Sequence, residues 1–147
     1  MENKPKFIKQ HKQRGEWAEA RFMASASEHG FNVSKPWGDT SRYDFAIELK
    51  GRFLRIQVKS TMCRNDRYYI CSFRTVSPYK ESQVDYFAVY VIPEDLWYIF
   101  PAAVIIRIKG NLLLASHRSK HKYERYREAW NILSAKKPKA NSAGSGQ

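Results

Sequence analysis

Apolar positions change from helical to alternating spacing and back along the chain. Over residues 14–29 alanines and aromatics recur at helical intervals and Gly30 follows as a stop, which predicts a leading helix. Residues 31–35 read as a short strand, the Pro-Trp-Gly-Asp-Thr run at 36–40 as a loop, and 43–49 as an alternating strand closed by Lys50-Gly51. Residues 52–61 then return antiparallel to it. Three further runs, 68–73, 86–92 and 96–100, carry the β-branched and aromatic residues of strands, with Pro93-Glu94-Asp95 turning between the last two. Residues 102–114 fit helix or strand equally, and 123–134 place Tyr126, Trp130 and Leu133 at helical spacing, which predicts a second helix. The pattern is that of an α/β domain with a mixed, mostly antiparallel sheet flanked by an N-terminal and a C-terminal helix. We expect a basic arm over 1–13, one domain over 14–134 and a disordered basic tail over 135–147. That tail has three lysines, no acid and no large apolar side chain to bury.

Two places in this pattern hold polar groups that call for chemistry. With about 100° per residue, Phe22, Met23 and Ala26 fall within about 60° of Glu19 on the helical wheel, so a carboxylate is expected in the middle of an apolar face. Such a group needs a cation, a hydrogen-bond donor or a water-filled cleft. Glu16, about one turn earlier, could share the site or serve as an ordinary first-turn acid. In the hairpin, a two-residue turn at Lys50-Gly51 would set residue 49 against 52 and Asp44 against Gln57. Alternation then puts Phe45, Ile47, Leu49, Leu54, Ile56 and Val58 on one face and Asp44, Glu48, Arg55, Gln57 and Lys59 on the other. Asp44, Gln57 and Lys59 would thereby converge: two hard oxygen ligands suited to Mg²⁺ and an ammonium that can orient water or stabilise a phosphoryl oxygen. The ordinary alternative is a solvated face held by cross-strand pairs such as Glu48 with Arg55.

Composition narrows the partner. In 147 residues, 26 Lys and Arg stand against 14 Asp and Glu, a net charge of +12, which points to a polyanion and first to nucleic acid. The window 116–127 concentrates Arg118, Lys120, Lys122, Arg125 and Arg127 with Tyr123 and Tyr126, a candidate phosphate-contacting patch or a solvated basic face. The longest uninterrupted apolar run is seven residues, 86–92, against the ~20 of a membrane span. No apolar signal region opens the chain, and Cys63 and Cys71 lack the spacing of a zinc or redox motif, so a soluble protein of a reducing cytoplasm is expected. His117 and His121 are four apart, but Arg118 stands where a metalloprotease carries Glu. No Walker loop, dinucleotide fingerprint or G-x-S-x-G is present. Trp37 and Gly38, in the loop before Asp44, stand either to approach a substrate or to cap the core.

Helix, strand, Asp-bearing strand, turn and a strand bearing Gln-x-Lys form an ordered set. Through Arg14-Gly15-Glu16-Trp17-Ala18-Glu19, Tyr43-Asp44 and Ile56-Gln57-Val58-Lys59-Ser60, the chain resembles the PD-(D/E)XK nuclease superfamily of restriction-endonuclease-like enzymes. The run SKPWGDTSRYD and the later VIPEDLWYIFP are similar to a bacterial branch of small endonuclease domains in it. The resemblance implies a restriction-endonuclease-like core and a Mg²⁺-dependent (or Mn²⁺-dependent) DNA endonuclease. It implies Asp44 as the metal-binding aspartate, Lys59 as the motif lysine and Glu19 as the helical glutamate assisting the metal. Gln57 departs from the second acidic position, keeping one oxygen donor while removing a negative charge. Some group I intron homing endonucleases of this fold are similar in carrying Gln there. The rival readings are a non-catalytic DNA-binding module with a decayed site and an RNA- or ribosome-associated basic protein; a homo-oligomer is left open.

Overall fold

The leading helix buries one narrow stripe. In the computed structural model, which describes residues 10–74, 77–115 and 121–135, α1 spans His11–Glu28 and buries Ala18, Phe22 and Ala26, each four residues on from the last. It begins three residues before the expected start. Gly30, at φ 81°, reverses the chain into β1 (Asn32–Ser34), and the Phe31 N–H donates to Ala26 O (3.0 Å). β2 (Phe45–Leu49) and β3 (Arg52–Thr61) form the expected hairpin with Leu49 opposite Arg52. Its two turn residues, Lys50 and Gly51, both have positive φ, the geometry whose twist matches that of the flanking strands.

β3 is the pivot of the sheet. On one side it pairs antiparallel with β2, and on the other it pairs parallel with β5 (Tyr86–Val91), which pairs antiparallel with β6 (Leu96–Pro101). The order is β1-β2-β3-β5-β6. Between β3 and β5 the chain leaves this sheet to form β4 (Tyr68–Ser72), which pairs with β7 (Asn111–Ala115) in a separate two-stranded ribbon. The ambiguous stretch 102–114 is both things in turn: a short helix, α2 (Ala102–Ile106), then β7.

A buried cluster lies on each face. The first joins Phe22 of α1 to Phe45, Ile47, Leu54, Ile56 and Val58 of the hairpin, and Phe22 stacks on Phe45 (5.3 Å between centroids) and Trp130 (5.9 Å). The second packs Phe87, Val89 and Val91 of β5 against the β4–β7 ribbon and α2. All six residues of β5 are buried, as befits a central strand covered on both sides.

The expected C-terminal helix forms instead as two 3₁₀ turns, Glu124–Tyr126 and Trp130–Ser134. Tyr126, Trp130 and Leu133 are buried as their spacing predicted, but Tyr126 joins the second cluster and the other two join the first. A straight helix would hold all three on one side. Here the chain wraps round the β6 edge: Arg127 bridges to Tyr98, and Glu128, at φ 46°, donates its N–H to Trp97 O (2.7 Å). The Glu128 carboxylate accepts from Trp97 N (2.7 Å) and Trp130 Nε1 (2.8 Å), bonds that a continuous helix would forfeit. The expected disordered tail lies outside the described residues beyond Ala135, as does the arm before Gln10.

Phe22 touches aromatic rings from the hairpin, β6 and the C-terminal turn, so Phe22→Ala is expected to cost about 3–5 kcal/mol, read as a lower urea midpoint with an unchanged m-value.

Candidate active site

The sheet ladder stops one residue short of the aspartate. Phe45–Ile56 is the last paired step of β2 with β3, so the expected Asp44–Gln57 pairing is not a ladder pair. The Asp44 N–H donates to Ile56 O (2.9 Å), and its carboxylate Oδ2 accepts from the Val58 N–H (2.8 Å). Asp44 thus grips β3 with backbone and side chain together. One carboxylate oxygen is satisfied by Val58, and the side chain is half-buried. Burial pushes its pKa up to about 6; the Val58 N–H opposes this, the charge of Glu19 adds to it, and Lys59 and Lys35 pull it down. These opposing causes place Glu19, Lys35 and Lys59 within electrostatic reach of the aspartate.

Glu19 departs from its expected setting. It stands half-buried beside the stripe of Ala18, Phe22 and Ala26, and Met23, which was to share its face, is 42% exposed. Its Oε2 accepts from Lys35 Nζ (2.9 Å), and Lys35 lies over the Phe45 ring (5.0 Å). The cation that a carboxylate at this depth needs comes from the loop after β1. Glu16 is exposed.

Gln57 and Lys59 occupy the same face of β3, half-buried and flanking Val58. Gln57 makes no side-chain hydrogen bond among the described residues, leaving its amide oxygen open to a ligand. Lys59 Nζ lies 5.7 Å from the centre of the Tyr79 ring, and Arg42 lies 4.4 Å from the same ring while donating to Ser77 O (2.6 Å). Tyr79 rests edge-on against Phe87 (5.2 Å). The ring is therefore fixed by the core, and two cations are ranged on it. Lys35, Arg42 and Tyr79 escaped the sequence reading; the position of Lys35 and Arg42 at the two ends of the loop before Asp44 was the available signal. Arg55, offered as a cross-strand partner of Glu48, pairs with Asp85 instead (Nε to Oδ2, 3.0 Å), because Ala46 stands opposite it.

The donor set suits a hard divalent cation through the open oxygen of Asp44, the unpaired amide oxygen of Gln57 and the carboxylate of Glu19. Only two of the three are acids, and among the described residues no three His, Cys, Asp or Glu side chains converge. Trp37, in the loop between Lys35 and Asp44, is 100% exposed and caps no core. Of the expected phosphate contacts, Lys122 and Arg125 line one open cleft, whereas Arg127 turns to Glu124 (Nη1 to Oε1, 3.4 Å). Arg118, Lys120 and His117 lie outside the described residues. No helix among the described residues is long and apolar enough to cross a membrane.

Comparison with known proteins bears on the family and the fold. Residues 9–133 match the family described as PD-(D/E)XK endonuclease. Among solved structures, the bacterial homing endonuclease I-Ssp6803I superposes with a TM-score of 0.75 at 28% identity, over 85% of this chain and 91% of that one. The Holliday junction resolvase Hjc of Archaeoglobus fulgidus gives a TM-score of 0.46 at 19% identity, over 70% and 84% of the two chains. Comparison with curated proteins finds no match. With most of its length matched and the motif residues gathered at one end of the β2–β3 hairpin, the chain belongs to the PD-(D/E)XK endonuclease family.

Proposed function

We propose that the protein is a divalent-metal-dependent endonuclease that hydrolyses phosphodiester bonds in DNA, with Asp44, Gln57, Lys59 and Glu19 as its working residues. The observation that carries this reading is Asp44. Its carboxylate is held against β3 at a depth that disfavours its charge, with an unbonded amide oxygen and an ammonium on the strand beside it. Asp44, Gln57 and Glu19 would hold Mg²⁺ or Mn²⁺, which when bound supplies Lewis acidity toward the phosphate. Lys59 orients the attacking water or offsets charge on a phosphoryl oxygen, its own position limited by the Tyr79 ring. Lys35 holds Glu19 to the site, and Arg42 holds the 77–79 segment that carries Tyr79. The family and the likeness to a bacterial homing endonuclease support DNA as the substrate. Gln57 in the second acidic position favours one other reading, a DNA-binding module that no longer cuts. Nicking of supercoiled plasmid in Mg²⁺ and its loss in EDTA separate the two: an intact plasmid at every divalent-ion concentration favours the module.

Asp44→Ala and Lys59→Ala are expected to lower cleavage by about a hundredfold or more while duplex binding in EDTA persists. Wild-type turnover in folded variants would remove them from the site.

Gln57→Glu is expected to tighten Mg²⁺ or Mn²⁺ binding, because a carboxylate replaces a neutral amide among the ligands. Calorimetric titration checks this, and an unchanged affinity would show that residue 57 is not a ligand.

The raised pKa of Asp44 fixes a sign. The folded value near 6 lies above the ~3.9 of an unfolded aspartate, so the fold favours the protonated form. The resulting penalty is present in full above about pH 6 and is relieved as pH falls from 6 toward 4. In EDTA, Asp44→Asn is therefore expected to raise the melting temperature by a few degrees at pH 8 and to leave it unchanged at pH 4, measured by circular dichroism.

A further inference from the structure

A second concentration of positive charge stands apart from the aspartate. The segment leaving α2, with Arg107 and Lys109, faces Lys122 and the 3₁₀ turn after it that carries Arg125, and together they border an open cleft of about 540 Å³ floored by Tyr123 and Tyr126. All four cations are exposed, and among the described residues none has an acidic partner. The nearby carboxylates are engaged elsewhere: Glu124 with His121 (3.2 Å) and Arg127, Glu128 with Trp97 and Trp130. Four unpaired like charges around one hollow repel one another, and an anion in the hollow reverses that cost.

The lining also says which anion. Lys122 lies over the Tyr123 ring (5.3 Å) and Arg125 over the Tyr126 ring (5.0 Å), so the cleft's own cations occupy the faces on which a base would stack. Among the described residues no carboxylate or amide side chain lines the cleft, so cytosine and adenine edges find no matched partner there. Four exposed cations with no acid to orient them toward one base edge suit phosphate oxygens, the contact that carries no sequence. Tyr126 belongs to the same buried cluster as Phe87 and Val89, which stand beside Gln57 and Lys59 on their face of the sheet. The floor of the cleft and the face that carries Gln57 and Lys59 therefore border the same buried cluster. From β3 to β6 is two strand steps of about 4.8 Å, and Tyr126 packs on Phe100 of β6 (4.9 Å between centroids), so the floor of the cleft lies about 10 Å or more from the strand of Lys59.

We infer that Arg107, Lys109, Lys122 and Arg125 form a second phosphate-binding site, which holds the DNA backbone about three or more base pairs from the bond that is cut. This deepens the nuclease reading and rests on it for the position of that bond. The site's contribution is sequence-independent affinity that places the duplex across the sheet face.

The test compares charge-matched double variants. R107Q/K109Q and K122Q/R125Q each remove two charges from one wall of the cleft. K50Q/R52Q removes two from the hairpin tip, at the far end of β2 from Asp44. Binding of a fluorescein-labelled duplex is measured by anisotropy across a salt series in EDTA, with melting curves to verify folding. Each cleft variant is expected to flatten the plot of log affinity against log salt by about 0.9 for every phosphate it no longer neutralises, up to about 1.8, and the tip variant by less than half as much. Equal flattening in all three would overturn the inference, since charge would then act without a site; so would wild-type slopes in both cleft variants. Plasmid cleavage by the wild type is scored separately. If it fails while the cleft variants lose slope, the nuclease reading falls and the phosphate site stands.

Discussion

Everything at the candidate active site depends on the register of one hairpin. Lys50 and Gly51 both take positive φ, which closes β2 onto β3 in two residues and leaves no slack in the pairing. A slip of one residue would turn Gln57 and Lys59 into the first buried cluster and Ile56 and Val58 out of it. The hydrophobic cost of that exchange therefore guards the chemistry. Asp44 completes the lock from beyond the last ladder pair, because its carboxylate takes the Val58 N–H.

Asp44 is then left where its charge is disfavoured, and the surrounding groups offset that only in part. Burial and Glu19 act in one direction; the Val58 N–H, Lys59 and Lys35 act in the other. Both lysines rest over aromatic rings, Lys35 over Phe45 and Lys59 over Tyr79, so their positions are set by side chains of the core. The electrostatics of the site thus inherit the rigidity of the packing beneath it.

Much of this was legible in the sequence because it depends on short-range rules. Alternation and a two-residue turn locate Asp44, Gln57 and Lys59, and the strands from β2 to β6 follow from apolar runs and their punctuation. What failed was set by partners distant in the chain. The helical spacing of Tyr126, Trp130 and Leu133 is real, yet Glu128 gives up helical bonds for Trp97, about thirty residues earlier. Glu19 looked central on its wheel because Met23 counted as apolar, whereas the sheet contacts a stripe centred on Phe22. Arg55 found Asp85 across the parallel β3–β5 seam, a pairing that no local pattern announces.

The C-terminal wrap over β6 has a consequence for the protein's life in a crowded solution. β6 ends the sheet on that side and would otherwise present a row of open backbone donors and acceptors to any passing strand. The Arg127–Tyr98 bridge and the bonds of Glu128 to Trp97 occupy part of that row, and the left-handed turn at Glu128 steers the chain away before it can pair further. The opposite edge, β1, is only three residues long and makes a poor template. Edge-to-edge strand addition is in this way disfavoured on both sides of a sheet rich in aromatic and β-branched residues.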